Sequence, residues 1–360
     1  MSKKKILYVV ESMGGGVFTY VVELANALSK DFDMYIAYAT RPQTPDNYRD
    51  YFNKEIRLIE VQNFCRSLNP VNDLKAFFEI KKIVKEVKPD IVHLHSSKAG
   101  AIGRFAINGK KIPCFYTPHG YSFLMLDQSK LKRGIYKAIE KICGKRTCKT
   151  ISCSKGEHDE SVKLTKNADY INNGIDMEEL QQILDVIPQN SSNKNTVFTI
   201  GRICEQKNPK LFNEIAEAMP EVRFIWIGDG ELRDELLAPN IQITGWLDRK
   251  DVISHAQGCS NFILTSLWEG LPISLLEAMY MKKTCIVSNV IGNRDVIRTG
   301  YNGYVCDNVS DFVEAINQSK ESGTILGDNA YKDVVEKYNT LVMTEAYKKI
   351  YYYSINKKEN

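Results

Sequence analysis

Two glutamates, Glu269 and Glu277, stand eight positions apart in the stretch Ser266-Leu267-Trp268-Glu269-Gly270-Leu271-Pro272-Ile273-Ser274-Leu275-Leu276-Glu277-Ala278-Met279. The apolar run Asn261–Leu264 ahead of them reads as a buried strand, Gly270 and Pro272 mark a turn, and Leu271, Leu275, Leu276 and Met279 recur at helical spacing. Glu269 is thereby placed in a loop and Glu277 on a helix. In an open α/β sheet, ligands bind at the carboxyl ends of the strands, where the next helix offers backbone N–H groups and the positive end of its dipole. Carboxylates beside such a phosphate seat can grip paired hydroxyls of a sugar or a ribose, so the pattern points to a nucleotide-sugar site.

Other residues of the right chemistry follow other strand-like runs. Gly201-Arg202-Ile203-Cys204-Glu205-Gln206-Lys207-Asn208 sets an arginine and a lysine five apart across a turn into a helix. Arg202 is a planar bidentate fork and Lys207 a mobile point charge, and together they can neutralise a departing diphosphate. Glu11-Ser12-Met13-Gly14-Gly15-Gly16-Val17 links a first strand to a helix; N–H groups of Gly15 and Gly16 can reach an oxyanion, or the glycines serve only a tight turn. It is no dinucleotide fingerprint, because Thr19 occupies the last glycine position of G-x-G-x-x-G. His119, in Tyr116-Thr117-Pro118-His119-Gly120-Tyr121, stands at another strand end, and Gly228-Asp229-Gly230-Glu231 makes a strand-end turn that has an equally plain structural reading. His93 and His95 alternate on one strand and share a face; without a third ligand they read as structural rather than metal-binding. Asp31-Phe32-Asp33 spells D-x-D, yet it joins a helix end to a strand start and is set aside as chance.

The elements that must position these groups come in two series. Apolar runs at Ile6–Val10, Met34–Ala39, Ile56–Val61, Ile91–Leu94, Cys114–Thr117 and Thr150–Cys153 alternate with amphipathic helices, the signature of a doubly wound parallel sheet. A polar stretch over residues 188–195 follows, and the alternation restarts at Thr196–Gly201, Val222–Gly228, Ile241–Thr244, Asn261–Leu264 and Thr284–Ser288. Leu341–Tyr353 is helical in period with no partner strand. At 360 residues, 43% hydrophobic and 26% charged, the chain is long enough for two cored domains. No run of eighteen apolar residues occurs, and Met1-Ser2-Lys3-Lys4-Lys5 leads straight into a short strand, which argues for the cytoplasm and against secretion. Nine cysteines without C-x-x-C, including the evenly spaced Cys143, Cys148 and Cys153, match no zinc pattern and read as reduced core fillers. A net charge of +4 with no basic stripe interleaved with aromatics does not suit nucleic acid.

The Glu269/Glu277 segment resembles the E-x7-E motif of retaining glycosyltransferases with the GT-B fold, in particular glycosyltransferase family 4. Gly201–Lys207 is similar to that family's G-R-x-x-x-x-K element and His119-Gly120 to its H-G element. The resemblance implies two Rossmann-like α/β domains facing a cleft, over 1–175 and 176–339, with the 340–360 helix returning to the first. It implies a retaining, metal-independent transfer from a nucleoside diphosphate sugar, UDP ahead of GDP, to a glycan acceptor, lipid-linked as in relatives that build surface polysaccharides. The roles implied are Arg202 and Lys207 on the diphosphate, Glu277 on the ribose, Glu269 on the donor sugar, His119 beside the reacting region, and Gly15, Gly16 and Gly228 near the nucleotide. No cofactor, no metal and no separate nucleophile is assigned. Three departures stand out: Pro272 removes an N–H, leaving Ile273 and Ser274 as the phosphate donors; Ile291-Gly292-Asn293-Arg294-Asp295 replaces a diglycine loop and a glutamate; and Asn172-Asn173-Gly174 stands where a proline is common. A nucleotide-sugar epimerase of similar fold, or a non-catalytic GT-B partner, remains the alternative.

Lys130, Lys132, Arg133, Lys137, Lys141, Lys145, Arg146 and Lys149 face the single acid Glu140 in the segment 130–149, where Leu131, Ile135, Ile139 and Ile142 recur at helical spacing. Such a basic amphipathic helix suits the inner, cytoplasmic membrane surface, at about 1 kcal/mol per cation near anionic lipid. The plainer expectation is a solvated helix packed down by its isoleucines.

Overall fold

The computed structural model describes residues 3–11, 13–41, 44–65, 69–188 and 193–359. Ser12 of the glycine loop, Met1-Ser2 and the centre of the polar stretch, 189–192, lie outside them. The chain divides into two compact units: 1–124 with 128–173 and 340–360, and 174–339 with Met125–Asp127.

The first unit holds a seven-stranded parallel sheet in the order β3-β2-β1-β4-β5-β6-β7. Its strands are β1 Lys5–Val10, β2 Asp33–Tyr38, β3 Arg57–Glu60, β4 Ile91–His95, β5 Cys114–Thr117, β6 Lys149–Ser152 and β7 Ala168–Tyr170. The helices between them are α1 Gly15–Ser29, α2 Pro70–Val87, α3 Ser97–Ala106, α4 Lys130–Cys143 and α5 Lys155–Ser161. Because both faces are covered, the inner strands are buried along nearly their whole length rather than on alternate residues. On β1, Ile6, Tyr8 and Val10 enter one core layer and Leu7 and Val9 the other, as the two-residue period requires.

The second unit repeats the plan with six parallel strands in the order β10-β9-β8-β11-β12-β13. Here β8 is Asn193–Ile200, β9 Arg223–Ile227, β10 Ile241–Ile243, β11 Cys259–Leu264, β12 Thr284–Ser288 and β13 Gly303–Cys306. Its helices are α6 Met177–Asp185, α7 Pro209–Ala218, α8 Arg249–Gln257, α9 Ile273–Tyr280, α10 Asn293–Val296 and the long α11 Val309–Lys337. In each sheet the strand order reverses once, between β1 and β4 and between β8 and β11, and such switch points are where open α/β sheets bind ligands.

The last helix, α12 Thr340–Glu359, belongs to the first unit and packs on α1. Met343, Tyr347, Tyr351 and Ile355, four residues apart, enter the core beside β1, which is the return expected of the C-terminal segment.

Two expectations need correction. β7 and β13 escaped the strand reading because each is a short edge strand without a bounded apolar run. More consequential is α4, whose isoleucine stripe does not pack inward. Leu131 is 76% exposed, Ile135 45% and Ile142 56%, while the buried residues of the helix are Glu140 and Cys143. The Glu140 carboxylate accepts from Arg104 Nη2 at 2.6 Å and from the Tyr116 hydroxyl at 2.8 Å, and the guanidinium also lies over the Tyr116 ring. A buried, fully bonded ion pair thus replaces the apolar contact that the periodicity suggests. No helix among the described residues is long and apolar enough to cross a membrane. The nine cysteines are free, eight of them buried and Cys65 half-buried.

Candidate active site

In the second unit the candidates gather where the strand order reverses. Arg202 and Lys207 follow β8, and Glu269 follows its neighbour β11. The two loops are stitched together: Leu267 N–H donates to the Gln206 carbonyl at 2.8 Å, and the Thr265 hydroxyl to the Lys207 carbonyl at 2.7 Å. Glu269 is 7% exposed and its carboxylate is already bonded on both oxygens. Oε1 accepts from Lys207 Nζ at 2.6 Å and from the Ser266 hydroxyl at 2.7 Å, and Oε2 from the Gln206 amide at 3.3 Å. The bond to Glu269 holds the Lys207 ammonium beside the strand ends, so its charge is presented there rather than free to wander. Arg202 is looser, 3.6 Å from the exposed Glu231.

Glu277 lies on α9 and is 4% exposed. Its Oε1 accepts from Arg249 Nη1 at 2.7 Å, and the Arg249 Nε–H donates to Glu179 at 2.9 Å, so one guanidinium ties α8 to both α9 and α6. At the start of α9, Pro272 caps without a side-chain bond, and the N–H groups of Ile273 and Ser274 have no acceptor among the described residues. That is the expected condition of a helix N-terminus able to receive an anion. Gly228 has a packing reason of its own, since a Cβ there would sit 2.2 Å from the Gly201 carbonyl oxygen. The Ile291–Asp295 loop backs onto the same turn: Gly292 leaves no room for a Cβ against the Gly270 carbonyl.

In the first unit, Gly15 has φ +58°, which glycine adopts without strain, whereas Gly16 has no left-handed backbone; neither has a described atom within 4 Å of where a Cβ would stand. No described side chain fills that space. Glu11, at the end of β1, pairs with Arg41. His119 follows β5 with φ +57°, and its Nε2 lies 3.1 Å from Nδ1 of His95 at the end of β4. Gly120 N–H donates to Glu157 Oε1 at 2.6 Å and Cys153 N–H to its Oε2 at 2.8 Å, so Glu157 clamps the His119-Gly120 turn instead of closing a capping box on its own helix.

Beneath His95 lies a wholly buried bed of rings. His93 contacts the Tyr351 hydroxyl at 2.5 Å through Nδ1 and the Thr117 hydroxyl at 2.9 Å through Nε2, and its ring stacks 4.2 Å from that of His95. Tyr20 donates to Tyr347 at 2.7 Å and sets its edge on His119. Burial holds the imidazoles of His93 and His95 well below the ordinary histidine range and pushes His119 down to about 3, so all three are neutral at physiological pH. A third histidine does therefore join the pair that the strand pattern showed. Even so, no group of three His, Cys, Asp or Glu side chains among the described residues could hold a metal ion. Asp31 of the D-x-D string pairs with Lys348 at 3.0 Å.

Arg249, Gln206, Ser266 and Glu157 had no signal in the sequence that marked them. Gln206, Arg249 and Glu157 reach their partners from other elements, at separations of up to 63 positions, whereas Ser266 reaches Glu269 from three positions away in the same loop.

Paired parallel α/β units with a cationic and carboxylate-rich switch point define the GT-B class of fold. A model described as Glycosyltransferase Family 4 matches residues 14–179 and one described as Glycosyl transferases group 1 matches 181–337. A family 4 domain and a group 1 glycosyltransferase domain thus account for most of the chain, which is a glycosyltransferase of GT-B fold. It is 29% identical over 340 residues to the UDP-Gal:alpha-D-GlcNAc-diphosphoundecaprenol alpha-1,3-galactosyltransferase of Escherichia coli, covering 84% of this chain and 85% of that one. It is 25% identical to the N,N'-diacetylbacillosaminyl-diphospho-undecaprenol alpha-1,3-N-acetylgalactosaminyltransferase of Campylobacter jejuni, covering 94% and 96%. Among solved structures, Anabaena HepE in complex with UDP and glucose superposes with a TM-score of 0.75 at 15% identity, over 96% of this chain and 99% of that one.

Proposed function

We propose that this enzyme moves a sugar from a UDP-sugar to a lipid-diphosphate-linked glycan acceptor, with retention at the anomeric carbon and without a metal ion. The observation that carries the reading is the stitched switch point of the second unit, where Arg202, Lys207, Glu269 and the free N–H groups of Ile273 and Ser274 converge on one pair of strand ends. Relatives whose names specify UDP-galactose and diphosphoundecaprenol support the donor and acceptor classes.

Arg202 and Lys207 neutralise the diphosphate as its bond to the sugar breaks, a task for which preorganised cations are worth more than solvent. Glu277 takes the ribose hydroxyls on the oxygen that Arg249 leaves open. Glu269, shared by Lys207, Ser266 and Gln206, aligns the hydroxyls of the transferred sugar, and His119 and the Gly15-Gly16 N–H groups serve the reacting region and the acceptor side. Gly228 shapes the neighbouring strand end. Attack on the face from which the diphosphate leaves accounts for retention with no protein nucleophile.

The same reading brings α4 to the cytoplasmic membrane surface. Leu131, Ile135 and Ile142 are exposed among cations, and Lys130, Arg133 and Lys137 line one shallow groove of about 330 Å³ with Phe123 and Leu124. Apolar side chains entering the headgroup layer with cations around them are the usual basis of reversible peripheral binding.

The test is nucleotide release from uridine, guanosine and adenosine diphosphate sugars in excess chelator, with and without membrane lipid extract, for wild type, Arg202→Ala and Glu269→Ala. Release from a uridine donor that needs the extract and is lost in both variants is the expected outcome. Release that chelation abolishes, or a nucleotide sugar that is epimerised with its nucleotide still attached, overturns it.

A further inference from the structure

The contact between His95 and His119 is the least explained polar contact in the first unit. Two neutral imidazoles meet through His95 Nδ1 and His119 Nε2 at 3.1 Å, so one nitrogen carries a proton and the other a lone pair. His95 is 0% exposed, and its other nitrogen, Nε2, has no hydrogen-bond partner among the described residues. If His119 were the donor, the His95 proton would have to sit on that orphan Nε2. A buried N–H without an acceptor costs about 1–3 kcal/mol, and such groups are rarer in proteins than unpaired acceptors. With His95 as donor, the orphan nitrogen is a bare lone pair, and the one proton of neutral His119 is left on its Nδ1. That nitrogen has no partner among the described residues and is not among the buried unpartnered atoms.

We infer that His95 is a positioning residue: its Nδ1–H donates to His119 Nε2, fixes His119 as the Nδ1–H tautomer, and so turns His119 Nδ1 into a hydrogen-bond donor toward an oxygen of the glycosyl phosphate. What the proton is used for rests on the function proposed above; where the proton sits does not.

The surroundings are built to hold this pair still. His119 (φ +57°) and Ser96 (φ +73°), which follows His95, are both non-glycine residues in the left-handed region at adjacent strand ends, a conformation that persists only where neighbours over-determine it. Glu157 fixes the backbone after His119, the two rings stack at 24° with centroids 5.3 Å apart, and Tyr20 closes the remaining edge. His93 lies under His95 with both of its own nitrogens engaged, so it offers His95 no competing partner. A neutral donor of fixed tautomer stabilises charge on a departing oxygen without itself having to gain or lose a proton, which would explain a histidine kept uncharged at a reaction centre.

The experiment reads the tautomer directly. Ring-15N histidine is incorporated, the chain having five histidines, and two-bond 15N–1H spectra of the free protein are recorded with His119 assigned by difference from His119→Gln. The expected pattern is a protonated Nδ1 and a bare Nε2 on His119. In His95→Ala that pattern is lost, and kcat for nucleotide release falls by about 10–100-fold while KM for the donor stays within about twofold. His95→Asn, whose amide N–H stands near the position of Nδ1, keeps the tautomer and most of kcat. A wild-type His119 protonated on Nε2 overturns the inference, as does a folded His95→Ala with unchanged kcat or a His95→Asn no better than it. Should His95→Ala fail to fold, the wild-type spectrum and His95→Asn decide. A wild type with the expected tautomer and no transfer activity would sink the proposed function and leave the proton where it is inferred to be.

Discussion

The two units share one plan, yet their strand ends solve opposite electrostatic problems. At the β8/β11 switch point of the second unit the functional groups are charged and held by one another: Lys207 by Glu269, and Glu277 by Arg249. At the β1/β4 switch point of the first, the side chains beneath His119 are neutral imidazoles, phenols and hydroxyls, all buried. The difference teaches that position at a parallel sheet's carboxyl edge selects where a ligand goes, while the charge placed there selects which part of it. A diphosphate needs counter-charge; a reacting oxygen needs a donor that does not titrate.

The contrast is sharpest for Arg202 and Lys207. Arg202→Ala is expected to lower kcat on the order of a hundredfold or more, with stability unchanged within about 0.5 kcal/mol, because its pair with Glu231 is long and exposed. Lys207→Ala loses comparable activity and about 3 kcal/mol of stability as well, since it strands the Glu269 carboxylate in a buried position. Steady-state kinetics beside urea unfolding check both; equal stability of the two variants would mean that the second unit's charges are not mutually held.

Acid should separate the units next. His93 and His95 are neutral in the folded protein and become cationic in the unfolded chain below about pH 6.5. Below that pH the unfolded state binds more protons, so stability falls as pH drops; above it these groups contribute no slope. Each costs about 1.4 kcal/mol at one pH unit below 6.5, about 3 kcal/mol for the pair at pH 5.5, and His119 adds in the same sense. Hydrogen exchange at pH-corrected rates should show β4 and β5 losing protection between pH 7.5 and 5.5 while β11 and β12 change little. Equal losses would break the contrast.

The smallest effect concerns the surface. Leu131→Gln with Ile135→Gln should leave thermal stability within about 0.5 kcal/mol, because both side chains are already in solvent, yet weaken binding to anionic vesicles about tenfold. A clear loss of stability without any change in vesicle binding would mean that α4 meets protein rather than lipid.

Much of this was readable in the sequence. Inner parallel strands are buried on both faces and therefore appear as short unbroken apolar runs, which is why β1, β4, β5, β11 and β12 were located almost to the residue. The edge strands β7 and β13 lack that constraint and carried no such run. Arg202, Lys207 and Glu269 were legible because each follows a strand directly, so the sheet order alone brings them together. Gln206 and Ser266 lie inside the same motifs, but nothing in a linear string distinguishes a side chain that turns toward Glu269 from one that turns to water. Arg249 is further removed, 28 positions from Glu277 on another helix. For α4 the period correctly gave two faces but left open which of them is buried, because Glu140 had a buried cation waiting on α3 that no local pattern reveals.

By itself the sequence determined two doubly wound α/β units and the strand-end position of the charged groups, since both follow from local periodicity and turn chemistry. Only the tertiary structure decided which groups are paired, which nitrogen is left without a partner, and which face of α4 meets solvent. Those outcomes depend on the neighbours that distant elements supply in a buried, low-dielectric setting, where a single missing partner outweighs local preference.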